Sequence, residues 1–116
     1  MINLKNTDTL KKNYEVRNVI KYGKFYSGYF LDFWVKPNKE NKNYICVAVT
    51  KKTGNSVIRN RIKRKIRENY RLIENDILFG YNIVILWKKN KENEYATFLN
   101  IKNDFKYVFK KANILK

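Results

Sequence analysis

The chain has 116 residues, 44% hydrophobic and 16% aromatic, which is room for one core and argues against wholesale disorder. It carries 26 Lys and Arg against 10 Asp and Glu, a formal +16, with one cysteine and no histidine. Those counts exclude an internal disulfide framework, a Cys/His zinc site and histidine-based catalysis, and they point to a polyanionic partner.

Residues 1–12 are polar and read as irregular, with no signal-peptide core; no apolar run is long enough to span a bilayer, so a cytoplasmic protein is expected. Asn13 is a plausible N-cap for a short helix over 13–22, with Val16, Val19 and Ile20 at helical spacing and Gly23 as its stop. Phe25 to Val35 is aromatic and β-prone, and ends before the lone Pro37. Asn38 to Asn43 is a polar turn. Tyr44 to Thr50 is a strand, with Ile45, Val47 and Val49 on one face and Cys46, Ala48 and Thr50 on the other. A Lys51–Ser56 loop precedes a helix from Val57 to about Ile73. Tyr81 to Trp87 is a continuous apolar run, as in a strand covered on both faces. Phe98, Ile101, Phe105, Val108 and Phe109 mark an amphipathic final helix from about Tyr95, and Trp87 and Phe79 read as core. The expected fold is a single small α+β domain over residues 1–116, in the order α-β-β-β-α-β-α.

The total charge is less informative than its distribution. Lysine (20) and asparagine (17) are abundant and alanine (3) is scarce, a general bias that inflates the charge. Arginine is rare, yet five of the six (Arg59, Arg61, Arg64, Arg67, Arg71) fall within thirteen consecutive residues. Such clustering reflects a need for planar, forked donors. On a helical wheel, Ile58, Ile62, Ile66 and Ile73 form an apolar stripe, and Asn60, Arg64, Arg67 and Arg71 an opposing one edged by Arg61. Arg59 and Lys63 lie at the border. An ordinary solvated face would mix signs, but this helix has no acid before Glu68 and places cations at its positive dipole end. Arriving phosphates would make sense of both features. The Lys51-Lys52-Thr53-Gly54-Asn55 loop adds charge beside a glycine that lets backbone approach a ligand closely; it lacks the Walker spacing.

The stretch from Val47 to Arg71, VAVTKKTGNSVIRNRIKRKIRENYR, closely resembles the signature of the protein subunit of bacterial ribonuclease P. The matching positions are Lys51, Lys52, Gly54, Asn55, Val57, Arg59, Asn60, Arg61, Lys63, Arg64, Arg67 and Glu68. Ser56 stands where alanine is usual, and Val16 where an aromatic is usual. The resemblance implies a left-handed β-α-β crossover around the basic helix, contrary to the right-handed default. It implies an endonuclease subunit for tRNA 5′ maturation, in which a large RNA with bound Mg²⁺ cleaves the leader from precursor tRNA and no protein side chain is catalytic. It assigns RNA contact to Lys51, Lys52, Asn55, Arg59, Asn60, Arg61, Lys63, Arg64 and Arg67, and the helical stripe adds Arg71. It also implies a leader cleft between the first helix and the sheet, with Val16, Ile20, Phe30 and Trp34 as its expected walls. Phe30 and Trp34 share strand parity, and Val16 and Ile20 share a helix face.

The ten acids are scattered and suggest no two-metal nuclease site on the protein, and no metal ligands are assigned. Cys46 reads as a small strand residue. The alternative to a ribonuclease P subunit is a non-catalytic RNA-binding module such as a ribosomal protein. A DNA-binding role is disfavoured because no helix and tight turn precede the basic helix.

Overall fold

A computed structural model of the chain describes residues 7–116. Five strands form one mixed sheet in the order β1-β4-β5-β3-β2: β1 Thr7–Thr9, β2 Lys24–Ser27, β3 Leu31–Pro37, β4 Asn43–Ala48 and β5 Tyr81–Trp87. Three helices complete it: α1 Asn13–Tyr22, α2 Ser56–Ile73 and α3 Phe98–Lys111. Helix α2 carries the chain from β4 to its parallel neighbour β5. The expected α+β order holds, with one addition. Residues 7–9, expected to be irregular, pair in parallel with Asn43, Tyr44 and Ile45. A three-residue strand has no periodicity to read; it exists because β4 offers an edge there. Residues 1–6, part of the same expectation, lie outside the described residues.

The β-prone run from Phe25 is a hairpin, broken at Gly28 and extending to Pro37 rather than stopping before it. The N-cap of α1 lies one residue earlier than expected: it is Lys12, its backbone N–H reaching Glu15 Oε1, and Asn13 is already helical. Gly23 does end α1, but with φ −77° it needs no left-handed conformation. Its lack of a side chain matters because a Cβ would lie 2.4 Å from the Val19 carbonyl oxygen.

The sheet is covered on both faces. Leu31, Phe33, Ile45, Val47, Ile83, Ile85 and Trp87 face α2 and α3 and pack with Ile62, Ile66, Tyr70, Phe105 and Phe109. On the other face α1 brings Val19 and Val16 against Val84, Trp34, Tyr44 and Cys46, with Leu10. Central β5 is therefore apolar from Ile83 to Trp87, as its sequence suggests. Trp87 is fully buried, whereas Phe79, also expected in the core, is only half-buried. Lys116 lies over its ring.

Candidate RNA interface

Helix α2 is fixed at both ends, and that fixes its outward face. Asn55 is its N-cap, with the side-chain oxygen accepting from the Ile58 N–H at 3.0 Å. This leaves the Asn55 amide donors for a partner. The Arg59 guanidinium reaches back to the Gly54 carbonyl at 3.0 Å and pins the loop holding Lys51 and Lys52. Gly54 serves the fold rather than a close ligand approach: a Cβ there would lie 2.9 Å from the Ile58 side chain. At the other end the buried Tyr70 hydroxyl sits 2.7 Å from Thr7 Oγ1 and accepts from Asn43 Nδ2 at 3.2 Å. Asn43, itself buried, accepts from the Tyr81 N–H and donates to the Leu78 carbonyl. One polar network thereby joins α2 to β1, β4 and the approach to β5.

The apolar stripe points inward as its spacing requires. Ile62 and Ile66 are buried, Ile58 and Ile73 half-buried, and Tyr70 joins them. Asn60, Arg61, Arg64 and Arg71 are exposed; Arg59, Lys63 and Arg67 are partly covered. Among the described residues the only ion pairs are Lys42–Asp8 and Lys88–Asp32, so no α2 cation is neutralised by an acid. Lys65, the one cation of residues 51–71 not expected in the site, donates to the Ala96 carbonyl at 3.0 Å. What precedes α2 is β4 and a 3-10 turn at Lys51–Thr53, so no helix-turn-helix forms there.

The second expected site is brought together in part. Val16 and Trp34 share the cluster beneath α1, while Ile20 is 43% exposed beside it. Phe30 is elsewhere. It lies in the turn between β2 and β3, where strand parity does not apply, and stacks on Trp87 toward the other core. Phe25 stands in its place, opposite Trp34 in the β2–β3 register and 5.1 Å from its ring. Hairpin register would have identified it, had the break at Gly28 been located.

Cys46 packs in the Val16–Trp34 cluster. Burial pushes its thiol up, and the positive charges of Arg67 and then Lys63 partly offset this. Among the described residues no three His, Cys, Asp or Glu side chains converge as metal ligands, and no helix is long and apolar enough to cross a membrane.

Sequence reading missed Asp104. Buried on α3, its carboxylate accepts from the N–H groups of Tyr29 (3.0 Å), Phe30 (2.7 Å) and Leu31 (2.8 Å). A Cβ on Gly28 would lie 2.7 Å from it, so glycine is required for this clasp. An acid at an inward position of an apolar stripe was the available signal.

The family model for Ribonuclease P matches residues 4–113. The ribonuclease P protein component of Clostridium kluyveri is 40% identical over 113 residues, covering 92% of this chain and 96% of that one. That of Natranaerobius thermophilus is 45% identical over 78 residues, 67% of this chain and 68% of its own. Among solved structures, the Staphylococcus aureus ribonuclease P protein superposes with a TM-score of 0.81 at 29% identity, over 93% of this chain and 97% of that one.

Proposed function

Because the chain belongs to the ribonuclease P protein family, we propose that its α2 face holds the catalytic RNA subunit and its α1-covered sheet face the 5′ leader of precursor tRNA. The family is the protein component of an endoribonuclease, and this membership favours that reading over a ribosomal-type RNA-binding module. Residues 1–116 act as one RNA-binding domain in this proposal. Cleavage belongs to the RNA, which also holds the Mg²⁺; no step runs through a protein side chain.

The observation that carries the reading is the row of forked cations on α2, outside both of the ion pairs, Lys42–Asp8 and Lys88–Asp32, seen among the described residues. Isolated, such a row costs stability through self-repulsion; phosphates relieve it with charge-assisted, bidentate hydrogen bonds. Arg61, Arg64 and Arg71 with Asn60 are open to solvent, and Arg59, Lys63 and Arg67 flank them. Lys51, Lys52 and the free amide of Asn55 extend the surface past the helix start. Val16, Ile20, Trp34 and Phe25 offer an apolar and aromatic wall for unpaired bases.

Reconstitution tests this. Adding the protein to its RNA partner at low Mg²⁺ is expected to raise precursor-tRNA cleavage, and the Arg64→Ala, Arg67→Ala double variant to lose most of that gain. Unchanged cleavage with the wild-type protein would overturn the assignment.

A further inference from the structure

Where the β2–β3 turn meets the end of β5, aromatic rings pass in series from core to surface. Trp87 is fully buried. Phe30 lies 5.6 Å from it at 9°, and Tyr95 lies 6.2 Å from Phe30 at 24°. Tyr95 is 50% exposed; Tyr29, 68% exposed, meets Phe30 edge-on at 4.7 Å. Lys91 holds its ammonium 3.9 Å from the Tyr29 ring centre. Tyr29, Phe30, Tyr95 and Lys91 line an open concavity of about 340 Å³. A second hollow of about 510 Å³ adjoins it through Lys91 and reaches Lys89 and Lys52, at the start of the α2 basic surface.

The platform is rigid before anything binds. Asp104 holds the backbone of Tyr29 and Phe30. Trp87 Nε1 donates to the Lys91 carbonyl at 3.0 Å, and Asn100 Nδ2 to the Tyr95 carbonyl at 2.8 Å. Ordering has thus been completed by folding, which leaves little entropic penalty for binding. Two acids, Glu92 and Glu94, stand among the three lysines, close enough that Glu92 pushes the Glu94 carboxyl up. Exposed π faces on a fixed base, flanked by cations, suit a nucleobase and its phosphates.

We propose that Tyr95, with Tyr29 walling its edge, forms a stacking platform for an unpaired RNA nucleobase, with Lys89 and Lys91 taking the adjoining phosphates. It lies apart from the Trp34 cleft, whose residues pack under α1 on the opposite sheet face. The proposal rests on the RNA-binding reading above and adds a second single-strand contact to it. The base belongs either to the RNA subunit or to the precursor.

The test uses the full chain, in a Phe25→Ala, Trp34→Ala background that removes both rings of the other cleft, and a single-stranded RNA oligonucleotide carrying 2-aminopurine. Stacking quenches the probe, and the Tyr29→Ala, Tyr95→Ala double variant is expected to lose the quench and about tenfold in affinity. Tyr95→Phe, which keeps the π face, is expected to retain both, and this separates stacking from loss of fold. Arg64→Ala should weaken binding without changing the quench. Wild-type affinity and quench in the double tyrosine variant, with Arg64→Ala still weakened, would overturn the platform alone. No loss in either variant would overturn the RNA-binding reading with it. In reconstituted holoenzyme, a loss of RNA-subunit affinity assigns the base to that RNA, and a loss confined to precursor affinity assigns it to the substrate. Wild-type values for both would overturn the platform.

Discussion

Arg61 is exposed, lies on the second turn of α2 and has no acid paired with it. In a chain with 20 lysines, arginine at this position implies that charge alone is insufficient there. A guanidinium presents two parallel donors to one phosphate, whereas an ammonium is a point charge. Arg61→Lys is therefore expected to keep the salt slope of binding to the RNA subunit but lower the affinity several-fold at every salt concentration. Titrations across a salt series check this, and wild-type affinity would show that only charge matters. Lys65 makes the contrasting case. Its ammonium is held by the Ala96 carbonyl, so the Lys63-Arg64-Lys65 run holds both an exposed guanidinium and a structural ammonium.

At the scale of elements, the orientation of the arginine stripe depends on what holds α2. Ile62 and Ile66 supply burial, but the polar network of Tyr70, Thr7 and Asn43 sets the angle at which the helix end meets the sheet. Burial pushes the Tyr70 hydroxyl from an ordinary value of 10.0 up to about 12, against a smaller downward pull from its hydrogen bonds to Thr7 and then Asn43. The folded state thus favours the neutral phenol. Its contribution is fully present below pH 10, where both states are protonated, and is lost as pH rises from 10 to 12. The two-unit displacement corresponds to about 3 kcal/mol at most. Denaturant unfolding from pH 9 to 12 is expected to show this fall, and Tyr70→Phe, less stable at pH 9, should show a shallower one. Parallel curves would separate the alkaline loss from Tyr70. Asp104 plays a comparable part on the other side, clasping the β2–β3 turn to α3.

Across the whole molecule the sheet separates two surfaces, one under α1 and one under α2 and α3. The α1 face carries Trp34 and Phe25, with Val16 where the related pattern has an aromatic ring. Stacking on a base contributes about 1–3 kcal/mol, and Val16, having no ring, would add none of it in the proposed leader cleft. In reconstituted holoenzyme, Trp34→Ala is expected to weaken precursor tRNA about tenfold and to leave mature tRNA, which lacks the leader, unchanged. An equal loss for both would make Trp34 a packing residue only.

The helical and strand periods, the central apolar strand and the basic face of α2 were all legible in order of residues. Each depends on neighbours within a few positions, and the spacing of isoleucines and arginines determines which side of the helix is wet. What lay beyond reach were contacts whose partners are far apart in the chain. Thr7–Thr9 becomes a strand only against the edge of β4, some 36 residues on, with Thr7 opposite Asn43. Phe30 left the expected cleft because three N–H groups in its turn meet Asp104, whose separation from it is 74 residues. Parity could not foresee that, since it holds only while the strand continues, and the strand breaks where a distant carboxylate supplies better partners for the backbone. The sequence by itself determined which residues must be buried and which charged; the tertiary structure decided which of them meet, because a buried N–H is satisfied by whatever acceptor the fold brings to it.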